Sequence, residues 1–199
     1  MRKLMLSLAA VCGLYLLAGG RAAEQKIELP ALHQIREVTL SPSFSCRPEE
    51  DLKKGYEQTA LFLSDFARRR IGPDLLFNGG CGSEDYFEAA TAGDDMSLVA
   101  DLGADVQLED LSASRSFNLE RVHRYSAYSK FSQVAKVEAG HTYAVLLNER
   151  DKRGLFVFTV AEHVPNKLVR LRYAVKSYQV TTGGQAASPG FSWDQKNGG

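Results

Sequence analysis

Thr142-Tyr143-Ala144-Val145-Leu146-Leu147, then Leu155-Phe156-Val157-Phe158-Thr159-Val160, then Val169-Arg170-Leu171-Arg172-Tyr173-Ala174-Val175-Lys176 decide the fold class of this chain. All three runs are rich in β-branched and aromatic residues, which fit a pleated, packed surface. The middle run is apolar on both faces and predicts a central strand. The third alternates. Val169, Leu171, Tyr173 and Val175 share one face, while Arg170, Arg172, Ala174 and Lys176 share the other, so a half-buried strand with a solvated basic outer face is expected. Such a row of charge also discourages edge pairing. The charged turn Asn148 to Arg153, with Gly154, separates the first two runs, and Pro165-Asn166-Lys167 separates the last two. Three consecutive antiparallel strands make a meander with a hydrophobic face.

Toward the N-terminus, Ile35-Arg36-Glu37-Val38-Thr39-Leu40 alternates as a first strand ended by Pro42. Residues 47 to 70 read as a helix. Pro48 suits its first turn, and Glu49, Glu50 and Asp51 place negative charge at the positive end of the macrodipole. Leu52, Tyr56, Ala60, Leu63 and Ala67 form an apolar stripe that Phe62 and Phe66 widen. Arg68, Arg69 and Arg70 fall at the carboxyl end as a solvated cap, and Gly72-Pro73 stops the helix. Leu75-Leu76-Phe77 is a short apolar run before Asn78-Gly79-Gly80. Asp85 to Thr91 and Met96 to Leu102 predict a hairpin across Ala92-Gly93-Asp94-Asp95. Residues 103 to 110 suit a loop or short helical turn, and residues 112 to 135 fit either a helix or irregular chain.

The expected fold is mainly β (α+β): an antiparallel β-sandwich or partly open barrel with one packed α-helix, residues 48 to 70, covering a sheet opening. It forms a single domain from 26 to 180. Residues 181 to 199 are small, polar and Gly-rich, which predicts a disordered tail carrying the only tryptophan, Trp193.

Met1-Arg2-Lys3 followed by an apolar run from Leu4 to Ala18 has the form of an export signal. Small residues at Gly20 and Ala22 favour cleavage after residue 22. The run is shorter than the roughly 20 apolar residues of a membrane helix, so no stable membrane span is expected in the mature chain, which would be secreted or periplasmic. Removal of the signal takes away Cys12 and leaves Cys46 and Cys81. In an oxidising setting these predict a Cys46–Cys81 disulfide, whose loop of about 35 residues removes about 3 to 4 kcal/mol of unfolded-state freedom in the chain-entropy model.

The 199 residues are 44% apolar and 24% charged, a globular mix, and the net charge of +0 gives no whole-chain attraction to nucleic acid. No nucleophile elbow, phosphate loop, dinucleotide fingerprint or zinc-protease motif is present in the sequence. Gly80-Cys81-Gly82-Ser83 resembles a cysteine nucleophile site in composition only, and a disulfide at Cys81 excludes that role. His33, His123, His141 and His163 form no closely spaced pair. His141 starts a strand and His163 lies in the turn after the next one; both are candidate ligand-binding residues, either surface or capping histidines or holders of a haem or metal. Asp94 and Asp95 are candidate metal ligands with Glu84 and Asp85 ten residues earlier, unless they only satisfy the turn. Tyr125 and Tyr128, with Phe117 and Phe131, are candidates to line a ligand groove or to pack the core.

The hairpin Gly140 to Val145 and Gly154 to Val160 resembles hairpins in several secreted bacterial β domains, among them an all-β haem-scavenging family. The resemblance is one of apolar alternation and assigns no haem ligand. The sequence names no cofactor. It supports three functions: a non-enzymatic exported module binding a small ligand or protein, a small hydrolase using Asp94, Asp95 or Glu84 with a histidine such as His141, and a haem or metal carrier.

Overall fold

The computed structural model describes residues 27–43, 56–65, 67–68, 72–79, 81, 84–89, 91–92, 95–118, 131–182 and 185–187. Through them the chain forms β1 (Ile35–Leu40), a 3-10 turn (Tyr56–Gln58), β2 (Ala60–Leu61), β3 (Leu75–Asn78), β4 (Tyr86–Ala89), β5 (Thr91–Ala92), β6 (Asp95–Met96) and β7 (Leu98–Gly103). Helix α1 (Leu108–Ala113), β8 (Phe131–Ser132), β9 (Val134–Lys136), β10 (Thr142–Asn148), β11 (Lys152–Val164), β12 (Leu168–Thr182) and β13 (Gln185–Ala187) follow.

Two open antiparallel sheets result. The larger has the order β1-β12-β11-β10-β7-β8, with β13 added to β12, and the smaller the order β2-β3-β4-β9. The expected meander is the centre of the larger sheet, with Thr142 opposite Thr159 and Phe158 opposite Tyr173. Its inner face carries Tyr143, Val145, Phe156, Phe158, Val169 and Leu171, which pack with Leu61, Leu75, Phe77 and Phe87 into one core. The Phe87 ring stands edge-on to Phe158 at 4.9 Å and to Tyr143 at 5.3 Å. Each such buried side chain contributes about 1.5 to 3 kcal/mol.

The outer face of the larger sheet is also apolar. Ala144, Leu146, Leu155, Val157 and Ala174 are covered by Leu108 of α1. This corrects the expected solvated basic face at Lys176, while Lys167 and Arg170 are exposed as expected and Arg172 is half-buried. Lys176 is buried, and its Nζ donates to the carbonyls of Leu111 at 2.7 Å, Ser112 at 2.9 Å and Ser114 at 2.8 Å. Those groups lie at the C-terminal end of α1, where carbonyls lack intrahelical partners and a cation is favoured. Arg172 Nη2 meets Glu109 Oε1 at 2.6 Å near the other end. The alternating row therefore docks a helix of six residues that is too short to persist alone.

The helix expected over 48 to 70 is corrected within the described residues. A 3-10 turn gives way to β2, and Ala60 and Leu61 pair with Leu76 and Leu75 of β3. The stripe residues Ala60, Leu63 and Ala67 are buried as expected, and so is Leu61, which lies off the stripe. Spacings of three and four matched a helix, but the neighbouring strand supplied the backbone partners. Arg68 lies over the Phe62 ring, 5.8 Å from its centre.

The expected hairpin tip forms, with Thr91 opposite Met96 and Ala92 opposite Asp95. Its flanking strands part: β4 joins the smaller sheet and β7 the larger. The C-terminal segment also departs from expectation. β12 runs to Thr182, and Ala187 pairs back with Val180; residues 188–199, including Trp193, lie outside the described residues.

Gly154 marks a close approach in the central pair. A Cβ there would collide with the Ser177 carbonyl oxygen and lie 3.2 Å from Tyr178 Cα. Gly154→Ala should destabilise the domain by about 1 to 3 kcal/mol in urea unfolding; an unchanged midpoint would show that the two strands can separate at no cost. Lys176→Met should leave the sheets folded yet speed amide exchange across 108–113 by roughly tenfold or more, and unchanged protection would refute the pinning role.

Candidate functional site

His141 lies at the end of a turn in which its amide donates to the Glu138 carbonyl at 3.3 Å. It precedes β10, which pairs with β7 through a register shift between Thr142 and Tyr143, so that Tyr143 stands opposite Asp101. Asp101 is anchored by the Gly103 amide, which donates to Oδ1 at 2.8 Å. Gly103 has φ +97°, a conformation that favours glycine. The two Asp101 oxygens reach His141 Nδ1 at 3.1 and 2.9 Å. A carboxylate can only accept there, so Nδ1 is the donor, and the Nδ1–H tautomer carries its lone pair at Nε2. The side chains are 31% and 36% exposed, open to a ligand without being fully solvated. Around them, Lys136 Nζ bridges Glu84 at 2.6 Å and Glu138 at 2.7 Å. The Lys136 hydrogen bond holds the Glu138 carboxyl below its usual range.

His163 is placed differently. Its Nε2 meets Asp85 Oδ2 at 2.8 Å, and that oxygen also accepts the Asn166 amide at 2.7 Å. The ring stands edge-on to Phe77. Asn166, at φ +58°, accepts the Cys81 amide on Oδ1 at 3.0 Å. These contacts staple the loop before β4 to the β11–β12 turn. Both histidines fall at the same end of the larger sheet, but each engages its own carboxylate.

Tyr125, Tyr128 and Asp94 lie outside the described residues, as does Cys46. Asp95 is placed in β6 by its backbone pairing with Ala92. The carboxylates grouped from sequence are split: Glu84 is exposed beside Lys136, whereas Asp85 is buried against His163. Among the described residues no group of three or more His, Cys, Asp or Glu side chains is arranged to hold a metal ion, no disulfide is formed, and no helix is long and apolar enough to cross a membrane. Cys81 is exposed.

A second polar cluster escaped the sequence reading. Lys152 and Asp74 are fully enclosed and Glu149 is 3% exposed. Lys152 Nζ lies 3.2 Å from Asp74 Oδ1 and 3.4 Å from Glu149 Oε1, and it donates to the carbonyls of Gly72, at 3.1 Å, and Pro73. Asp74 Oδ2 accepts the Leu63 amide at 2.7 Å, and Tyr178 donates to Oδ1 at 3.3 Å. Ser97 donates to Glu149 Oε1 at 3.1 Å. Burial pushes the Asp74 carboxyl up, against the pull of Lys152, and pushes the Glu149 carboxyl up in the same way. The only local signal was an isolated lysine at an inward position of a strand, easily read as part of a charged turn.

No protein-family model, curated protein or solved structure matches this chain.

Because Glu149 binds its proton more tightly when folded, it contributes stability below its ordinary value of 4.5 that is lost as pH rises through the higher folded value. Glu149→Gln has no proton to lose. The stability of this variant relative to wild type should therefore increase from pH 4.5 toward neutrality in urea titrations. A difference that stays constant with pH, or moves the other way, would contradict the burial cost.

Proposed function

We propose that this chain is an exported β-sandwich domain that binds a ligand, with His141 as the contacting group. The observation that carries the reading is the imidazole held by Asp101 at Nδ1, with Nε2 left for an outside partner. A histidine fixed by a carboxylate in this way is a stronger and better aimed ligand. His33 also spends Nδ1, but on the neutral Ser112 carbonyl rather than on a carboxylate, and His163 spends Nε2 itself on Asp85. Asp101 and Glu138 place negative charge beside the imidazole, in part offset by Lys136 on Glu138, and this favours a ligand that is cationic or centred on a metal, such as haem iron or a divalent ion.

Export is supported by the basic start and apolar run of the first 18 residues. The Cys46–Cys81 disulfide belongs to the same proposal. Ser43 donates its amide to the Phe77 carbonyl at 2.7 Å and its hydroxyl to Asn78 Oδ1. Ser43 and Asn78 each stand three residues before one of the two cysteines, so the partners start from a shared anchor.

A second reading, a hydrolase with His141 as general base, is favoured by the same Asp101–His141 orientation. Titration with haem, and separately with Zn²⁺ and Ni²⁺, separates the two. Binding is expected to change the haem absorption or the imidazole resonance of His141 and to disappear in His141→Ala. No response to any of these probes defeats the binding assignment. Ester or glycoside turnover lost in the same variant would move the site to catalysis.

A further inference from the structure

We propose that Lys152 and Asp74 condense into an amide cross-link that joins the two sheets, with Glu149 carrying the protons. This does not depend on the ligand reading. Three observations bring the reactants together. The amine and carboxyl are both fully enclosed, 3.2 Å apart, on different layers: Lys152 opens β11 of the larger sheet and Asp74 directly precedes β3 of the smaller. A second enclosed carboxylate, Glu149, lies 3.4 Å from the same nitrogen. The cluster is shut off from bulk solvent, with Lys152 and Asp74 fully enclosed and Glu149 3% exposed.

Amide formation from an acid and an amine is disfavoured in bulk water because the amine is protonated, the acid ionised and the product exposed to hydrolysis. Enclosure alters each term. Two carboxylates share one ammonium, so the fully ionised cluster leaves a net negative charge in the core, which is costly. Burial drives the Asp74 carboxyl toward its neutral form, which is the electrophile that condensation requires, and with the one shared proton on Asp74 the Glu149 carboxylate is left ionised and able to act as base. Holding the partners together removes the entropic cost of a bimolecular encounter.

The step balances without oxidant or cofactor. A proton passes from the Lys152 ammonium to the Asp74 carboxylate, leaving an amine and an acid. The Nζ lone pair attacks Cγ and forms the C–N bond. The Leu63 amide, 2.7 Å from Oδ2, is placed to stabilise the negative charge that develops on that oxygen. Glu149 accepts a proton from the nitrogen and returns it to the departing Oδ1 hydroxyl, toward which Tyr178 also points. The C–O bond breaks and one water leaves. The product closes the chain between residues 74 and 152 into a covalent loop that reductants cannot open.

The alternative is a purely ionic cluster, in which the Lys152 ammonium keeps the Gly72 and Pro73 carbonyls and both carboxylates as acceptors. Mass spectrometry of the purified folded chain, reduced and alkylated so that cysteine oxidation does not contribute, distinguishes them. The proposal expects a mass lower than the sequence by one water, and a branched tryptic peptide joining the segment around Asp74 to that around Lys152. Lys152→Arg retains the cation but not the amine nucleophile, and Glu149→Gln removes the proton carrier. Both should show full mass and no branched peptide while circular dichroism shows the β fold. Folded wild-type protein of full mass, cleaved by trypsin after Lys152, overturns the cross-link. A branched peptide that persists in Glu149→Gln overturns the role given to Glu149.

Discussion

Until it condenses, Lys152 places an ammonium where no water can reach it, and the surrounding chain is arranged to answer that charge. The carbonyls of Gly72 and Pro73, the Asp74 carboxylate and the Glu149 carboxylate converge on its Nζ. Asp74 in turn accepts from Leu63 and Tyr178, and Tyr178 shares a hydrogen bond with Ser64. One buried cation thus draws together the turn before β3, the segment after β2 and the β10–β11 turn. A charge enclosed without these partners would cost several kcal/mol. The apolar core supplies most of the driving force for bringing the sheets face to face, but it is not directional. The Lys152 contacts define which turn of the smaller sheet meets which turn of the larger.

A related device operates on the opposite face. Lys176 closes the end of α1 with three carbonyl contacts, and Arg172 engages Glu109. Both lysines occupy positions that strand periodicity alone treats as ordinary. Alternation identifies which residues share a face, but not whether another element covers that face. The strands themselves were legible because Leu155 to Val160 and Val169 to Val175 carry a strong local signal, and their turns are marked by Pro165-Asn166 and Gly154. The segment from 56 to 67 was not. Its apolar spacing is compatible with a helix, and the deciding interactions, pairing of Ala60 and Leu61 with β3 and capture of the Leu63 amide by Asp74, come from residues more than ten positions away.

The candidate site shows the same division. His141 was recognisable as a residue at a strand start. Its partner was not, because Asp101 comes from β7 and is aligned only by the register shift beside Thr142. His163 looked equivalent in sequence, yet the fold uses it to bind Asp85 and steady the β11–β12 turn. What separates the two is the atom used: His163 spends Nε2 on its carboxylate, whereas His141 spends Nδ1 on a side chain that is 31% exposed.

A double-mutant cycle between Lys152→Met and Asp74→Leu, read by urea unfolding, tests the central tie most directly. Each single change strands a buried charge and should cost about 3 to 5 kcal/mol, while the double variant should cost less than their sum by more than about 1.5 kcal/mol. Losses that add to within about 0.5 kcal/mol would mean that Lys152 and Asp74 act independently and that something else holds the sheets in register.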